Sequence, residues 1–371
     1  MLKVPFVNYK LQYQNLKPEI DKTLQDVLER GDLILRSDVE KFEKSLADFL
    51  GVKYAVGVNS GTDALIFSLK AAGVKSGDEV ITVSHTFFAT IEAIVHNGAR
   101  PVLVEVLEDY LMDTDKIEAA ITPKTKAILP VHLNGRVCDM EKIMIIAKKH
   151  NLAVIEDAAQ ALGAKFQGKM AGSFGKAGCF SFYPAKILGA LGDAGAVTTN
   201  DEEVAKKIRL YRNHGQIKNQ EGEVEMTDYG WTSRLHNLQA AVLNVKFKYL
   251  PQWIERRKEI AKLYYQWLSG VPEIKLPPQS DENHVDVYQN FVIRVPKRDE
   301  LFEFLKEKRV ETLIKDPLPL HHQPVLKSFN FQLAFSEKLA KEVISLPMYP
   351  ELDQGQIEYV INSIKEFYNR R

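Results

Sequence analysis

Apolar positions recur with helical spacing near the start of the chain. Ile20, Leu24, Val27 and Leu28 share one face of a helix predicted over 18–30, and Gly31 supplies its stop. A second helix is predicted over 37–50. Val39, Phe42, Leu46 and Phe49 form its buried stripe, Ser37 and Glu40 read as a capping box, and Gly51 ends it. Short apolar runs then alternate with helical patterns. Strands are predicted over 54–58, 79–83, 101–106, 127–131, 153–156, 180–182 and 196–199. Helices are predicted over 62–72, 87–96, 115–121, 140–150 and 202–211. Strands separated by helices imply crossover connections, hence an α/β fold with a mainly parallel sheet covered on both faces. Ligands in such sheets sit at the carboxyl ends of the strands. The pattern changes after Tyr211. The polar stretch 212–231 reads as a loop, 235–248 and 253–268 as long helices, and the Pro-rich 272–278 as a linker. A strand over 289–295 and helices over 298–308 and 354–368 suit a small α+β unit, with the boundary near Tyr249.

The length of 371 residues allows a sizeable core in a large domain and a smaller one. Lys+Arg and Asp+Glu both number 49, so the chain is neutral overall. No basic stripe points to nucleic acid, and an anionic ligand has to be bound by local features. Two cysteines, Cys138 and Cys179, are too few for a disulfide framework, and neither has a second cysteine at metal-ligand spacing, so no metal is expected. The N-terminus lacks the apolar core of a signal peptide and no run is long enough to span a bilayer, so a cytoplasmic protein without membrane contact is expected.

Candidate chemistry gathers in 178–195, GCFSFYPAKILGALGDAG, which sets Lys186 among Gly, Ala and aliphatic residues. Desolvation disfavours an ammonium, and a neutral amine attacks carbonyls to form a Schiff base. The competing reading is a surface lysine whose stem lies on apolar neighbours. Ser60-Gly61-Thr62-Asp63-Ala64 lies between a strand and a helix, where open N–H groups can hold a phosphate or simply be capped. Asp157 ends a strand in VIEDAAQ, and Phe87 opens a helix after SHT. No G-x-G-x-x-G follows a strand, which argues against a nicotinamide dehydrogenase.

The segment SFYPAKILGALGDAGAVTTN resembles the lysine segment of the DegT/DnrJ/EryC1/StrS family, the pyridoxal-phosphate-dependent nucleotide-sugar aminotransferases. The resemblance runs in order from Val7 to about Asp353. It implies a fold-type I, aspartate aminotransferase-like fold with a mainly parallel seven-stranded sheet. The coenzyme-binding domain would span 15–248 and a smaller α+β domain 249–371, with 1–14 a candidate to pack on the latter. It implies that Lys186 binds pyridoxal 5′-phosphate covalently and moves protons in catalysis. By the same resemblance Gly61, Thr62, Asp63 and Ser181 hold the phosphate, Phe87 stacks on the ring, Asp157 pairs with the ring nitrogen and Gln160 touches the ring hydroxyl. Thr232 and Arg234 would reach the site of the neighbouring subunit in a homodimer with shared active sites. Arg36, His85, Tyr183 and Lys315 would face the substrate. Three departures stand out: Thr232 where relatives carry Asn, Arg36-Ser37 where they often carry Gly-Pro, and Lys315 where many carry His. The implied partners are L-glutamate as amino donor and a nucleotide-diphosphate keto-sugar as acceptor. SGTDAL and SRLHNLQAA resemble members acting at C3 of a dTDP-3-oxo-6-deoxyhexose or a UDP-3-oxo sugar, in making amino sugars for surface polysaccharide or natural products. The alternatives are amination at C4, a sugar dehydratase of the same fold, in which the lysine is typically His, and a non-catalytic regulatory protein.

Overall fold

The structure, a computed structural model, describes residues 2–315 and 317–369. Helix α1 (Tyr9–Arg30) begins ahead of the expected start, because the Asn8 side chain caps it by accepting from the Leu11 N–H at 3.0 Å and Pro18 is carried inside the helix. Its Leu16 and Ile20 pack on Val242 and Val245. Helix α2 (Ser37–Leu50) has the expected limits but a different cap. Arg36 occupies the cap position without a side-chain bond, and Asn237, from a distant helix, accepts from the Val39 N–H at 3.2 Å. A long-range partner thus takes the place of the local capping box.

The central sheet is built from β1 (Tyr54–Val58), β2 (Glu79–Val83), β3 (Arg100–Val104), β4 (Thr125–Ile128) and β5 (Ala153–Asp157). After two short strands, β6 (Lys165–Phe166) and β7 (Lys169–Met170), it is completed by β8 (Ala177–Ser181) and β9 (Gly195–Thr199). The seven strands lie in the order β1-β9-β8-β5-β4-β2-β3. Neighbours pair parallel except around β9, which runs antiparallel to both β1 and β8. Helices α3 (Gly61–Ala71), α4 (Ala89–His96), α5 (Met140–Lys149) and α6 (Glu202–Tyr211) pack with these strands. Every residue of β2 and of β9 is buried, as expected of strands covered on both faces. The helix expected over 115–121 is instead two 3-10 turns, Thr114–Lys116 and Glu118–Ala120.

The stretch expected to be a loop over 212–231 contains a hairpin, β10 (Gln216–Lys218) with β11 (Val224–Met226). Its outer residues are exposed, so no alternation of apolar and polar positions announces it. Helices α7 (Asn237–Phe247) and α8 (Leu250–Leu268) follow. Leu250 and Ile254 of α8 join the core around the sheet, whereas Ile260, Tyr264 and Leu268 join a second apolar core. The short strand β12 (His284–Val285) pairs with β6. The second core is completed by residues of β13 (Phe291–Arg294), α9 (Arg298–Glu307), β14 (Val343–Leu346) and α11 (Gln354–Asn369), with α10 (Ala334–Glu342) leading into β14. Val4 belongs to this second core, and the N–H of Glu311 donates to its carbonyl at 2.9 Å. No helix among the described residues is long and apolar enough to cross a membrane.

Candidate active site

The ends of β1, β2, β5 and β8 meet the C-terminal part of the chain around a cavity of about 560 Å³. This is within the usual size of a small-molecule site. Gly61, Thr62, Phe87, Asp157, Gln160 and Ser181 line it, together with Tyr183, Lys186 and Lys315.

At the end of β1 the Ser60 hydroxyl caps α3 by accepting from the Asp63 N–H at 3.0 Å. The Asp63 carboxylate accepts from the Ser233 hydroxyl at 2.7 Å. Asp63 is therefore occupied in holding the turn and does not line the cavity. The N–H groups of Gly61 and Thr62, in the first turn of α3, have no partner within the helix, and the positive end of its dipole faces the cavity. The turn needs glycine for space. A Cβ on Gly61 would come within 2.7 Å of the Ser181 Cβ. One on Gly195 would come within 2.3 Å of the Ser60 carbonyl carbon. These close approaches bring the open N–H groups and the Ser181 hydroxyl to one place, a cluster of donors at a helix N-terminus suited to an anion such as phosphate.

Asp157 ends β5 and is 6% exposed. Its Oδ2 accepts from the Thr90 hydroxyl at 2.8 Å, and Thr86 lies a further 2.8 Å from Thr90. Its Oδ1 accepts from the Ala159 N–H at 3.2 Å. The preceding residue, Glu156, is fully buried and accepts from the N–H groups of Gly172, Phe174 and Gly175. Two successive carboxylates of one strand thus have separate tasks: one braces a turn, the other faces the cavity. The Gln160 Oε1 accepts from the Asn134 N–H at 2.9 Å and from the Asn290 amide at 3.1 Å, which leaves its NH₂ group for the cavity.

Lys186 lies in the connection between the antiparallel neighbours β8 and β9. Its amine is lowered to about 8, first by burial and then by the Lys315 charge, while Asp157 opposes the shift. Phe87 turns a 60% exposed ring along the wall. His85 does not line the cavity; its ring lies 5.8 Å from that of Tyr110, and burial, Lys315 and Arg294 lower it to about 4, so it is neutral. Arg36 is exposed near Asp32 and takes no part in the cavity of its own chain. Nor do Thr232, whose hydroxyl is 2.9 Å from His214 Nε2, or Arg234, which donates to Asn213 at 3.2 Å. Sequence reasoning passed over His132, Gln289, Asn290, Leu313 and Met348, which also line the cavity. Met348 lies in SLPMYPELD, a stretch over 345–353 that resembles the family but gave no sign of a site role, and the others arrive through tertiary packing with no motif to mark them.

A seven-stranded sheet with one reversed strand, a buried carboxylate, a desolvated lysine and an anion-binding helix N-terminus at its strand ends are the features of the pyridoxal-phosphate transferase class. The chain belongs to the DegT/DnrJ/EryC1/StrS aminotransferase family, whose profile matches residues 14–365. It is similar to a pleiotropic regulatory protein of Geobacillus stearothermophilus, 45% identical over 99% of both chains. It is also similar to the dTDP-3-amino-3,6-dideoxy-alpha-D-galactopyranose transaminase of Aneurinibacillus thermoaerophilus, 43% identical over 98% of this chain and 99% of the relative. The crystal structure of Streptomyces venezuelae DesV, in complex with a ketimine intermediate, matches with a TM-score of 0.95 at 39% identity, covering 100% of both chains. That of Bacillus subtilis NtdA with bound cofactor PMP matches with a TM-score of 0.92 at 33% identity, covering 100% of this chain and 86% of that one. The protein is a transaminase of the nucleotide-sugar class, and its coenzyme is pyridoxal phosphate.

Proposed function

We propose that this transaminase moves an amino group from L-glutamate to C3 of a dTDP- or UDP-linked 3-keto sugar. The observation that carries the reading is the meeting of the Lys186 amine, the Asp157 carboxylate and the open end of α3 in one cavity. When bound, pyridoxal phosphate supplies an aldehyde to be aminated and an electron sink for the donor carbon. Gly61 and Thr62 hold the phosphate through N–H groups, and Ser181 through its hydroxyl. Asp157, held in place by Thr90, keeps a proton on the ring nitrogen. The NH₂ group of Gln160 addresses the ring hydroxyl, and Phe87 covers one ring face. Lys186 Nζ would hold the coenzyme in the resting enzyme and, once freed by the donor, its neutral amine would serve as the base that removes a proton from the donor carbon and as the acid that gives it back. Tyr183 and Lys315 face the substrate.

A second copy of the chain completes the site. Met226 and Tyr229, 68% and 91% exposed, lie on and just after the β10–β11 hairpin, an apolar surface suited to a partner. Thr232 and Arg234 follow this segment, and in the dimer they reach the neighbour's phosphate cradle. Arg36, exposed on its own chain, is an outer substrate contact in the dimer, whereas His85, packed beside Tyr110 outside the cavity, is a structural histidine.

C3 is favoured over C4 by the 3-amino product in the name of the Aneurinibacillus relative. The name of the Geobacillus relative favours a regulatory protein as the second reading. Initial rates separate catalysis from regulation: parallel lines against glutamate and keto-sugar are expected, and absence of turnover with a panel of dTDP-, UDP- and GDP-linked keto-sugars contradicts catalysis. NMR of the product locates the nitrogen, and nitrogen at C4 overturns the C3 assignment.

A further inference from the structure

The backbone on both sides of Lys186 is gripped by one side chain from outside its loop. Gln289 Oε1 accepts from the Ile187 N–H at 2.8 Å, and its Nε2 donates to the Ala185 carbonyl at 2.9 Å. A carboxamide placed this way fixes the peptide groups before and after Lys186, and with them the direction of its Cα–Cβ bond. Gln289 is 8% exposed, so a lost bond leaves a desolvated polar group rather than one returned to water.

The grip is itself anchored. Tyr288 has φ of 49°, and Gly135 packs so closely that a Cβ on it would lie 2.8 Å from the nitrogens of both Tyr288 and Gln289. The Val287 N–H donates to the Gly135 carbonyl at 3.0 Å. The next residue, Asn290, holds Gln160 Oε1 and Asn134 Oδ1, both at 3.1 Å. Two consecutive residues leading into β13 therefore hold two different parts of one cavity's lining, the lysine loop and Gln160. The far half of the lysine loop is held by other residues: Lys246 donates to the Gly189 carbonyl at 2.7 Å, and Gln239 accepts from the Leu191 N–H at 2.8 Å.

We propose that Gln289 is a positioning residue, which aims the Lys186 amine by clamping the peptide groups on either side of it. This rests on Lys186 being the coenzyme-linked lysine. The clamp ties that lysine to the segment entering the second core, so its aim depends on how that segment is seated. The general reason to expect a kinetic effect is that small misplacements of a reacting group cost rate while leaving substrate binding nearly intact.

The test compares wild-type holoenzyme with Gln289→Met, which keeps length and apolar bulk but neither bond, and with Gln289→Glu, which keeps only an acceptor for Ile187. In Gln289→Met, kcat is expected to fall about tenfold or more with KM for the keto-sugar within about threefold. Amide exchange should quicken in the peptide containing Ile187 and not across the sheet. The pH midpoint of the absorbance of the lysine-linked coenzyme should move. Gln289→Glu should retain protection at Ile187 and still shift the midpoint, and it carries the test if the methionine variant does not fold. Wild-type kcat and midpoint in the variants overturn the proposal, and so does faster exchange spread evenly over the protein. Reductive trapping of the coenzyme on wild-type enzyme is done first. A lysine other than 186 there overturns the underlying reading; trapping on Lys186 with unaltered variants overturns only the clamp.

Discussion

At the scale of single residues, the chemistry turns on where one proton sits. Burial and Lys315 lower the Lys186 amine to about 8. At pH 7 about a tenth of such amines are neutral, far more than for an ordinary lysine. In the coenzyme-free protein, acylation of Lys186 should rise through pH 8 and level off above it. Removing the neighbouring charge by Lys315→Met should move the midpoint upward; an unchanged midpoint would show that the like charge plays no part. The folded protein binds fewer protons at Lys186 than the unfolded chain between about 8 and the ordinary lysine value. Stability from this group therefore increases with pH across that window and is lost as pH falls through it. Asp157→Asn should leave the fold intact and cut turnover by about a hundredfold or more, since an amide cannot hold the ring nitrogen protonated. The uncharged surroundings of Lys186 were visible in its own stretch of sequence. The Thr90 bond to Asp157 was not, because it joins residues from two different elements.

At the scale of elements, each strand end delivers one component, and glycine marks where two of them touch. Gly61→Ala forces a Cβ against Ser181 and should cost about 1–3 kcal/mol of stability. It should also loosen coenzyme retention on dialysis; a variant as stable and as yellow as wild type would contradict the close packing of α3 on β8. Most of the sheet was legible because apolar runs alternate with helical periods, and β1 and β2 match their expected limits. The reversal of β9 was not legible. Burial on both faces removes any sign of direction, and the connection over 182–194 is long enough for either a crossover or a reversal. The α2 cap was misread because Asn237 supplies from across the fold what Ser37 and Glu40 would supply locally. The β10–β11 hairpin escaped notice because its exposed strands bury no face in this chain.

At the scale of the whole molecule, the cavity draws on both ends of the chain. Phe6 and Val7 line it from one end and Leu313 and Met348 from the other. Met348 belongs to the second core and lies in the family-like stretch over 345–353, but nothing in the sequence places it, Phe6, Val7 or Leu313 at the cavity, which they reach through tertiary packing. Thr232 and Arg234, by contrast, stay clear of their own cavity and are assigned to a partner's. That assignment predicts complementation. Lys186→Ala and Arg234→Ala proteins, each nearly inactive, should recover activity when unfolded together and refolded as a mixture. Random pairing gives half heterodimers, each with one site carrying both substitutions and one carrying neither, so about a quarter of wild-type activity is expected. No recovery in a mixture shown to contain heterodimers would mean that each site is made from one chain.

The central claim is that Lys186 carries the coenzyme, and chemical trapping tests it most directly. Borohydride reduction of the yellow protein, digestion and peptide mass spectrometry should place a pyridoxyl-phosphate adduct on the peptide containing Lys186 and nowhere else. In Lys186→Ala the adduct should vanish. An adduct on another lysine, or one that survives in Lys186→Ala, would contradict the account.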